Sequence, residues 1–242
     1  MKKLRKLFHG RTKVLAKLEP QEQQLITAIR QQKLTYLSDR KLANICTVCR
    51  SIKDKKIPGI LIEAGCALGG STILIAKSKH QHQPLYVYDV FAMIPPPSDE
   101  DGSDVHRRYE IISQGKSDGI KGDTYYGYAD NLYEKVQQNL QQFHIDEERD
   151  NVFLIKGMLQ ETMQVSRPVA FAHIDVDWYE PVKTCLQQII PKLVVGGSVI
   201  IDDYHDWSGC RRATDEYFQD KAGQFQLDDT MGSMRVTRIR CR

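Results

Sequence analysis

Val169-Ala-Phe-Ala-His-Ile-Asp-Val-Asp177 and Ser198-Val-Ile-Ile-Asp-Asp-Tyr204 are two apolar runs that each end in acid. The stretch between them predicts a helix over about residues 180–193, giving a strand, a helix and a strand. A right-handed crossover makes such strands parallel and brings both C-terminal ends to one rim. As neighbours they lie roughly 4.8 Å apart. Asp175, Asp202 and Asp203 then converge in one small volume. Crowded carboxylates repel one another unless a cation, a proton or an arginine compensates them. Three oxygen ligands suit Mg²⁺, Ca²⁺ or Mn²⁺.

The rest of the chain extends the same rhythm. Residues 59–66 have the pattern of a buried strand closed by a small-residue turn, and Gly69-Gly-Ser-Thr72 opens a helix to about residue 79. Residues 85–91 and 152–156 predict two more strands, residues 210–219 a helix, and residues 225–227 and 234–239 two late strand pieces. Alternating strands and helices predict an α/β, doubly wound, mostly parallel sheet. Residues 1–56 form an N-terminal helical extension to the 57–242 domain. Residues 92–132 interrupt the rhythm with Pro95-Pro-Pro97 and Tyr125-Tyr-Gly-Tyr128. Such a segment, following directly on a strand, is expected to overhang the C-terminal rim as a substrate lid.

Charge is unevenly spread. The net charge is +3, yet residues 1–17 hold seven Lys or Arg and no acid, leaving 27 positive against 31 negative charges in the remainder. By bulk charge the body is no nucleic-acid binder. Residues 2–18 predict a basic amphipathic helix that packs on the domain or a partner subunit, or touches an anionic membrane surface. No apolar run is long enough to span a bilayer, and no signal peptide is evident. The expectation is a cytoplasmic homo-oligomer. Six cysteines without regular spacing do not predict a disulfide framework. Cys46-Thr-Val-Cys49 has no second pair at zinc spacing, so it reads as two small residues on a helix.

The turn Glu63-Ala-Gly-Cys-Ala-Leu-Gly-Gly-Ser71 makes the other end of the site. Gly65 suits a tight turn, and Gly69 and Gly70 would let backbone approach a ligand at a helix N-terminus. Asp89 follows 24 residues after Gly65, where an acid commonly accepts from ribose hydroxyls. The glycine spacing is not that of a dinucleotide fingerprint. A wider turn is compatible with a ligand lacking phosphates, such as S-adenosylmethionine.

Three stretches together resemble the macrocin O-methyltransferase family of metal-dependent sugar methyltransferases. They are Ile62-Glu-Ala-Gly-Cys-Ala-Leu-Gly-Gly-Ser-Thr72, Tyr88-Asp-Val-Phe91, and the acidic block from His173-Ile-Asp-Val-Asp-Trp-Tyr-Glu180 through Pro191 to Tyr204. Gly209-Cys-Arg-Arg-Ala-Thr-Asp-Glu-Tyr217 continues the likeness. The acidic block is the most specific part, and the resemblance covers residues 36–217. It implies a class I methyltransferase fold, a seven-stranded sheet whose last hairpin is antiparallel. It also implies a divalent cation (Mg²⁺ or another) on Asp175, Asp202 and Asp203, with Asp175 assisting deprotonation of the acceptor. The cofactor contacts it implies are Glu63, Ala64, Gly65, Gly69, Gly70, Ser71, Asp89, Phe91, Gly157 and Asp175, with Tyr36 and Tyr204 facing the acceptor. One departure is Val176, where a smaller residue usually stands between the two acids.

Methyl transfer needs in-line approach of an oxygen to a sulfonium methyl, and an alcohol attacks poorly until its proton is lost or shared. Vicinal hydroxyls of a sugar or catechol suit a chelating cation. Asp175 and His205, which follows the acid pair directly, are the candidate bases. Asp177 is expected to cap the next helix, Trp178 and Tyr179 to pack or line a pocket, and Arg211 and Arg212 to pair with the acidic rim. The expected function is methyl transfer from S-adenosylmethionine to a hydroxyl of a sugar or glycosylated small molecule. Catechol or phenol methylation is the main variant. A nicotinamide-dependent oxidoreductase lacks its fingerprint and a Tyr-x-x-x-Lys pair, and a non-catalytic binding protein has no use for three crowded carboxylates.

Overall fold

Short runs of Ile, Leu, Val and aromatic residues, buried on both faces, make the centre of the molecule. In the computed structural model, which describes residues 15–240, they form β1 (Ile60–Ala64), β2 (Leu85–Asp89), β3 (Val152–Lys156), β4 (Val169–Ile174) and β5 (Leu193–Ile201). β6 (Phe225–Asp228) and β7 (Met234–Arg238) complete one seven-stranded sheet in the order β3-β2-β1-β4-β5-β7-β6. The first five strands are parallel, and β7 runs antiparallel to both β5 and β6. This is the class I methyltransferase arrangement. Strand order reverses between β1 and β4, which opens a crevice at their C-terminal ends.

Strand parity divides the core in two. Leu61, Phe171 and Ile200 face helices Pro20–Gln31, Asp39–Asp54 and Gly70–Ser78. Ile62, Ala172, Val199 and Ile201 face helices Tyr179–Ile189 and Ser208–Phe218. The helices before residue 57 thus share a core with the sheet, through Ile26, Ile29, Leu42 and Ile45. Cys46 and Cys49 are buried in that core, which bears out the packing reading of the CxxC pair. No described helix is long and apolar enough to cross a membrane. The expected basic helix over residues 2–18 lies almost wholly outside the described residues.

Two elements differ from expectation. β5 begins at Leu193 rather than Ser198, because the Gly196-Gly197 pair is absorbed as an irregularity in the strand instead of ending it. Gly196 has φ +82°, a conformation glycine adopts freely. The 92–132 insertion holds a helix, Ser103–Ser113, whose only buried residues are Val105 and Ile112. So little apolar face leaves almost no periodic signal in the sequence.

Candidate active site

The crevice above β1 and β4 holds two adjoining cavities. One, of about 300 Å³, is lined by Tyr88, Asp89, Pro95–Pro97, Leu159 and Gln160 among others. The second, about 650 Å³, is lined by Leu34–Ser38, Lys41, Arg108, Tyr125, Asp202, Asp203 and Trp207 among others. Gly65, Asp89, Ile94, Tyr126, Asp175, Asp177 and Trp178 border both. The 92–132 insertion supplies a wall to each cavity.

At the shared border, backbone and carboxylate lock the turn after β1. Gly65 sits at φ +80°, and a Cβ there would fall 1.9 Å from the Asp175 carbonyl oxygen, so β1 and β4 close tightly only over glycine. Asp89 accepts from the Cys66 N–H at 2.7 Å and the Ala67 N–H at 3.3 Å through one oxygen, and from the Phe91 N–H at 2.7 Å through the other. Burial raises the Asp89 pKa against those three bonds. A carboxylate offers about four acceptor positions, so Asp89 keeps capacity for a hydroxyl donor in the cavity.

The acidic cluster forms as the strand ends predict. β4 and β5 are neighbours, and oxygens of Asp175, Asp202 and Asp203 lie within 4.8 Å of one another. Burial first, and the neighbouring carboxylates next, push Asp175 and Asp203 well above the usual carboxylate range. Asp177 does not cap the helix that follows: it has φ +56° and borders both cavities, and its N–H donates to Asp203 Oδ2 at 3.3 Å. Burial is the main cause raising its pKa to about 6, with the Trp207 hydrogen bond opposing.

A residue the sequence reading passed over counters this charge. Lys41, in the first turn of helix Asp39–Asp54, places Nζ 2.7 Å from Asp202 Oδ2 and 2.8 Å from Asp206 Oδ2. Burial alone would lower its pKa, but these carboxylates raise it. Asp202 Oδ1 points the other way, 3.9 Å from His173 Nε2, and His173 Nδ1 is 3.1 Å from Glu63 Oε1. Burial opposes charging His173, yet the flanking Asp202 and Glu63 raise its pKa to about 9. Spacing gave no hint of Lys41, because 161 residues separate it from its partner.

The remaining expected contacts divide. Gly65 and Ser71 line the second cavity, and Tyr36 joins them, 48% exposed, with its ring 5.9 Å from that of Tyr126. Glu63 is fully buried beneath the crevice and lines neither cavity. Ala64, Phe91 and Gly157 line neither cavity; Phe91 is buried edge-on to Tyr133. Gly69 and Gly70 line neither either. A Cβ on Gly70 would fall 2.4 Å from the Leu34 carbonyl, so that glycine admits the N-terminal segment rather than a ligand. Tyr204 donates to Asp215 at 2.8 Å, and His205 Nε2 lies 3.4 Å from Asp229, both outside the two cavities. Arg212 pairs with Glu100 and Glu216 and Arg211 donates to the Tyr204 and His205 carbonyls, rather than to the clustered aspartates as expected, and Trp178 walls both cavities.

Comparison with known proteins agrees with this fold. The model of the macrocin O-methyltransferase (TylF) family matches residues 9–233. Demethyldecarbamoylnovobiocin O-methyltransferase of Streptomyces niveus is 27% identical over 195 residues, 76% of this chain and 67% of that protein. A rhamnosyl-tetracenomycin-C 4'-O-methyltransferase of Streptomyces olivaceus is 25% identical over 211 residues, 85% of this chain and 74% of its own length. Among solved structures, the O-methyltransferase NovP superposes with a TM-score of 0.70 at 24% identity, covering 86% of this chain and 83% of that one. The SAH-bound Podospora anserina methyltransferase PaMTH1 superposes at 0.58 and 13% identity, over 98% of this chain and 96% of its own. The nicotinamide-dependent alternative falls with these findings. The chain belongs to the macrocin O-methyltransferase family and is an S-adenosylmethionine-dependent O-methyltransferase.

Proposed function

We propose that the protein transfers the methyl of S-adenosylmethionine to a hydroxyl of a sugar or glycosylated small molecule, aided by a divalent cation on Asp175, Asp202 and Asp203. One observation carries this reading. Asp175 borders both cavities, whereas Asp202 and Asp203 border only the second. The cofactor then occupies the first cavity and the shared border, with Asp89 against its ribose, and its methionine part reaches the Cys66, Ala67 and Ser71 edge of the second cavity. The acceptor enters the second, under the aromatic wall of Tyr36, Tyr125, Tyr126, Trp178 and Trp207.

The donor set fits such a cation. All three ligands are carboxylates, two of them buried, a crowding of negative charge that a divalent cation would offset. Their 4.8 Å spread is about twice a calcium–oxygen distance, so magnesium, with oxygens at about 2.0–2.1 Å, would draw them closer. When bound, the cation would lower the pKa of an acceptor hydroxyl and fix a vicinal pair. Asp175 takes the proton, because it alone of the three faces both reactants; His205 points to Asp229 instead. The Trp178 indole Nε1–H donates to the Pro95 carbonyl at 3.0 Å, tying the 92–132 lid over the reacting groups.

The sugar reading rests also on the Streptomyces olivaceus relative, whose name gives a rhamnosyl-tetracenomycin C as its substrate. The test is incubation with S-adenosylmethionine and a panel of deoxysugar glycosides and catechols, with Mg²⁺ or with EDTA, read by mass spectrometry. Methylation of a sugar hydroxyl that stops in EDTA is the expected result. Full turnover in EDTA removes the cation from the mechanism, and transfer to phenols alone removes the sugar.

A further inference from the structure

Glu63 is placed where a cofactor contact is expected from sequence, but its side chain is turned away from both cavities. β1 and β4 pair with Glu63 opposite His173 in register, on the sheet face that carries Leu61 and Phe171. Both side chains are completely buried. Glu63 Oε2 accepts from the Thr72 hydroxyl at 2.5 Å, and Glu63 Oε1 meets His173 Nδ1 at 3.1 Å. His173 Nε2 and Asp202 Oδ1 are both buried without a hydrogen-bond partner, and they face each other at 3.9 Å. Two orphaned polar atoms at that separation lack only a small shift to become a hydrogen bond, and leaving them apart is costly.

We propose that Thr72, Glu63 and His173 form a buried chain that positions Asp202 as a cation ligand, and that Glu63 makes no contact with the cofactor. This rests on the reading of Asp175, Asp202 and Asp203 as the cation site. The imidazole engages Oδ1, which leaves Oδ2 as the oxygen presented to a cation. In this structure the Lys41 ammonium stands at that same oxygen, 2.7 Å away. The chain also joins the metal end of the crevice to helix Gly70–Ser78, since Thr72 lies in its first turn. Groups that orient a metal ligand in this way typically contribute about 10- to 100-fold to metal affinity.

The test is Glu63→Gln, which keeps shape and can still bond Thr72 and His173 but removes the charge. Mn²⁺ affinity is read from the electron paramagnetic resonance of free Mn²⁺, and S-adenosylmethionine affinity by calorimetry without metal. The expected result is Mn²⁺ binding weakened about 10- to 100-fold with S-adenosylmethionine binding within about twofold of wild type. Thr72→Val, a milder change that keeps the core filled, is expected to weaken Mn²⁺ in the same direction by less. It decides the question if Glu63→Gln does not fold. Lost cofactor affinity with unchanged Mn²⁺ binding overturns the proposal and restores Glu63 as a cofactor contact. Unchanged affinities for both, or equal loss of both, overturn it by reducing the chain to a structural role. Should wild type itself take up no Mn²⁺, the cation site fails and the proposal with it. If wild type binds and both variants match it, the proposal alone fails.

Discussion

The two sides of the second cavity are built by different means. On one side, Asp175, Asp202 and Asp203 stand at the ends of two adjacent parallel strands whose backbone register fixes where each carboxylate points. On the other, Tyr36 comes from the segment between two N-terminal helices, and Arg108, Tyr125 and Tyr126 from the 92–132 insertion. The first side rests on β4, buried throughout, and on the end of β5, buried from Gly197 to Ile201. The second includes a tyrosine that is half exposed, held by side-chain contacts. On the proposed reading, reaction chemistry sits on the strand ends and acceptor choice on segments free to vary without unpicking the sheet.

If that division is right, changes on the two sides should fail in different ways. The largest effect on turnover is expected from Asp175→Asn. Losing several kcal/mol of charge stabilisation corresponds to about 10³-fold in turnover, with an unchanged circular dichroism spectrum. A variant that kept wild-type turnover would break the comparison at its strongest point.

Stability should separate the sides next. Phe171→Ala empties a completely buried position in β4 and should cost about 3–5 kcal/mol. Tyr36→Ala should change stability by less than about 0.5 kcal/mol while raising the acceptor KM. Denaturant unfolding and Michaelis kinetics on the same preparations test both.

Lys41 joins the two sides, so its removal sharpens the contrast. Lys41→Met leaves the buried Asp202 without its ammonium partner, a loss expected to destabilise the metal-free protein by about 3–5 kcal/mol. Added Mg²⁺ should recover more melting temperature in this variant than in wild type, since a cation replaces the missing charge. Equal Mg²⁺ shifts in both would show that Lys41 and the metal do not share a carboxylate.

The smallest expected effect is on pH. Asp177 is raised to about 6 and His173 to about 9, against unfolded values of about 4 and 6.5. A raised pKa means the folded state holds its proton more tightly, so stability falls as pH rises through the shifted value. Metal-free protein should therefore lose melting temperature from about pH 5 to pH 8, and Mg²⁺ should flatten the slope. A metal-free melting temperature that rises over that window would show that the crowded acids do not control it.

Much of the first side is legible in the sequence. Apolar runs ending in Asp175 and in Asp202-Asp203, separated by a helix, imply neighbouring parallel strands, and the acids follow from that. The glycine turn was legible as a turn but not in its uses: Gly70 admits the Leu34 carbonyl, and only the folded N-terminal segment shows it. The place of Asp177 is not legible, because a helix cap and a left-handed residue facing a cavity look alike in one dimension. His205 follows the acids directly in the chain, yet the turn Asp202–His205 directs it to Asp229.

Local pattern, and spacing within one strand–helix–strand unit, are enough to specify the sheet, its parallel centre, the acidic rim and the family. Tertiary structure alone decided that Lys41 reaches Asp202 across 161 residues, and that Glu63 meets His173 across 110. Parity gives the face a strand residue takes only relative to its own strand. Which residue of another strand or helix lies opposite is set by register and packing, and those are properties of the folded whole.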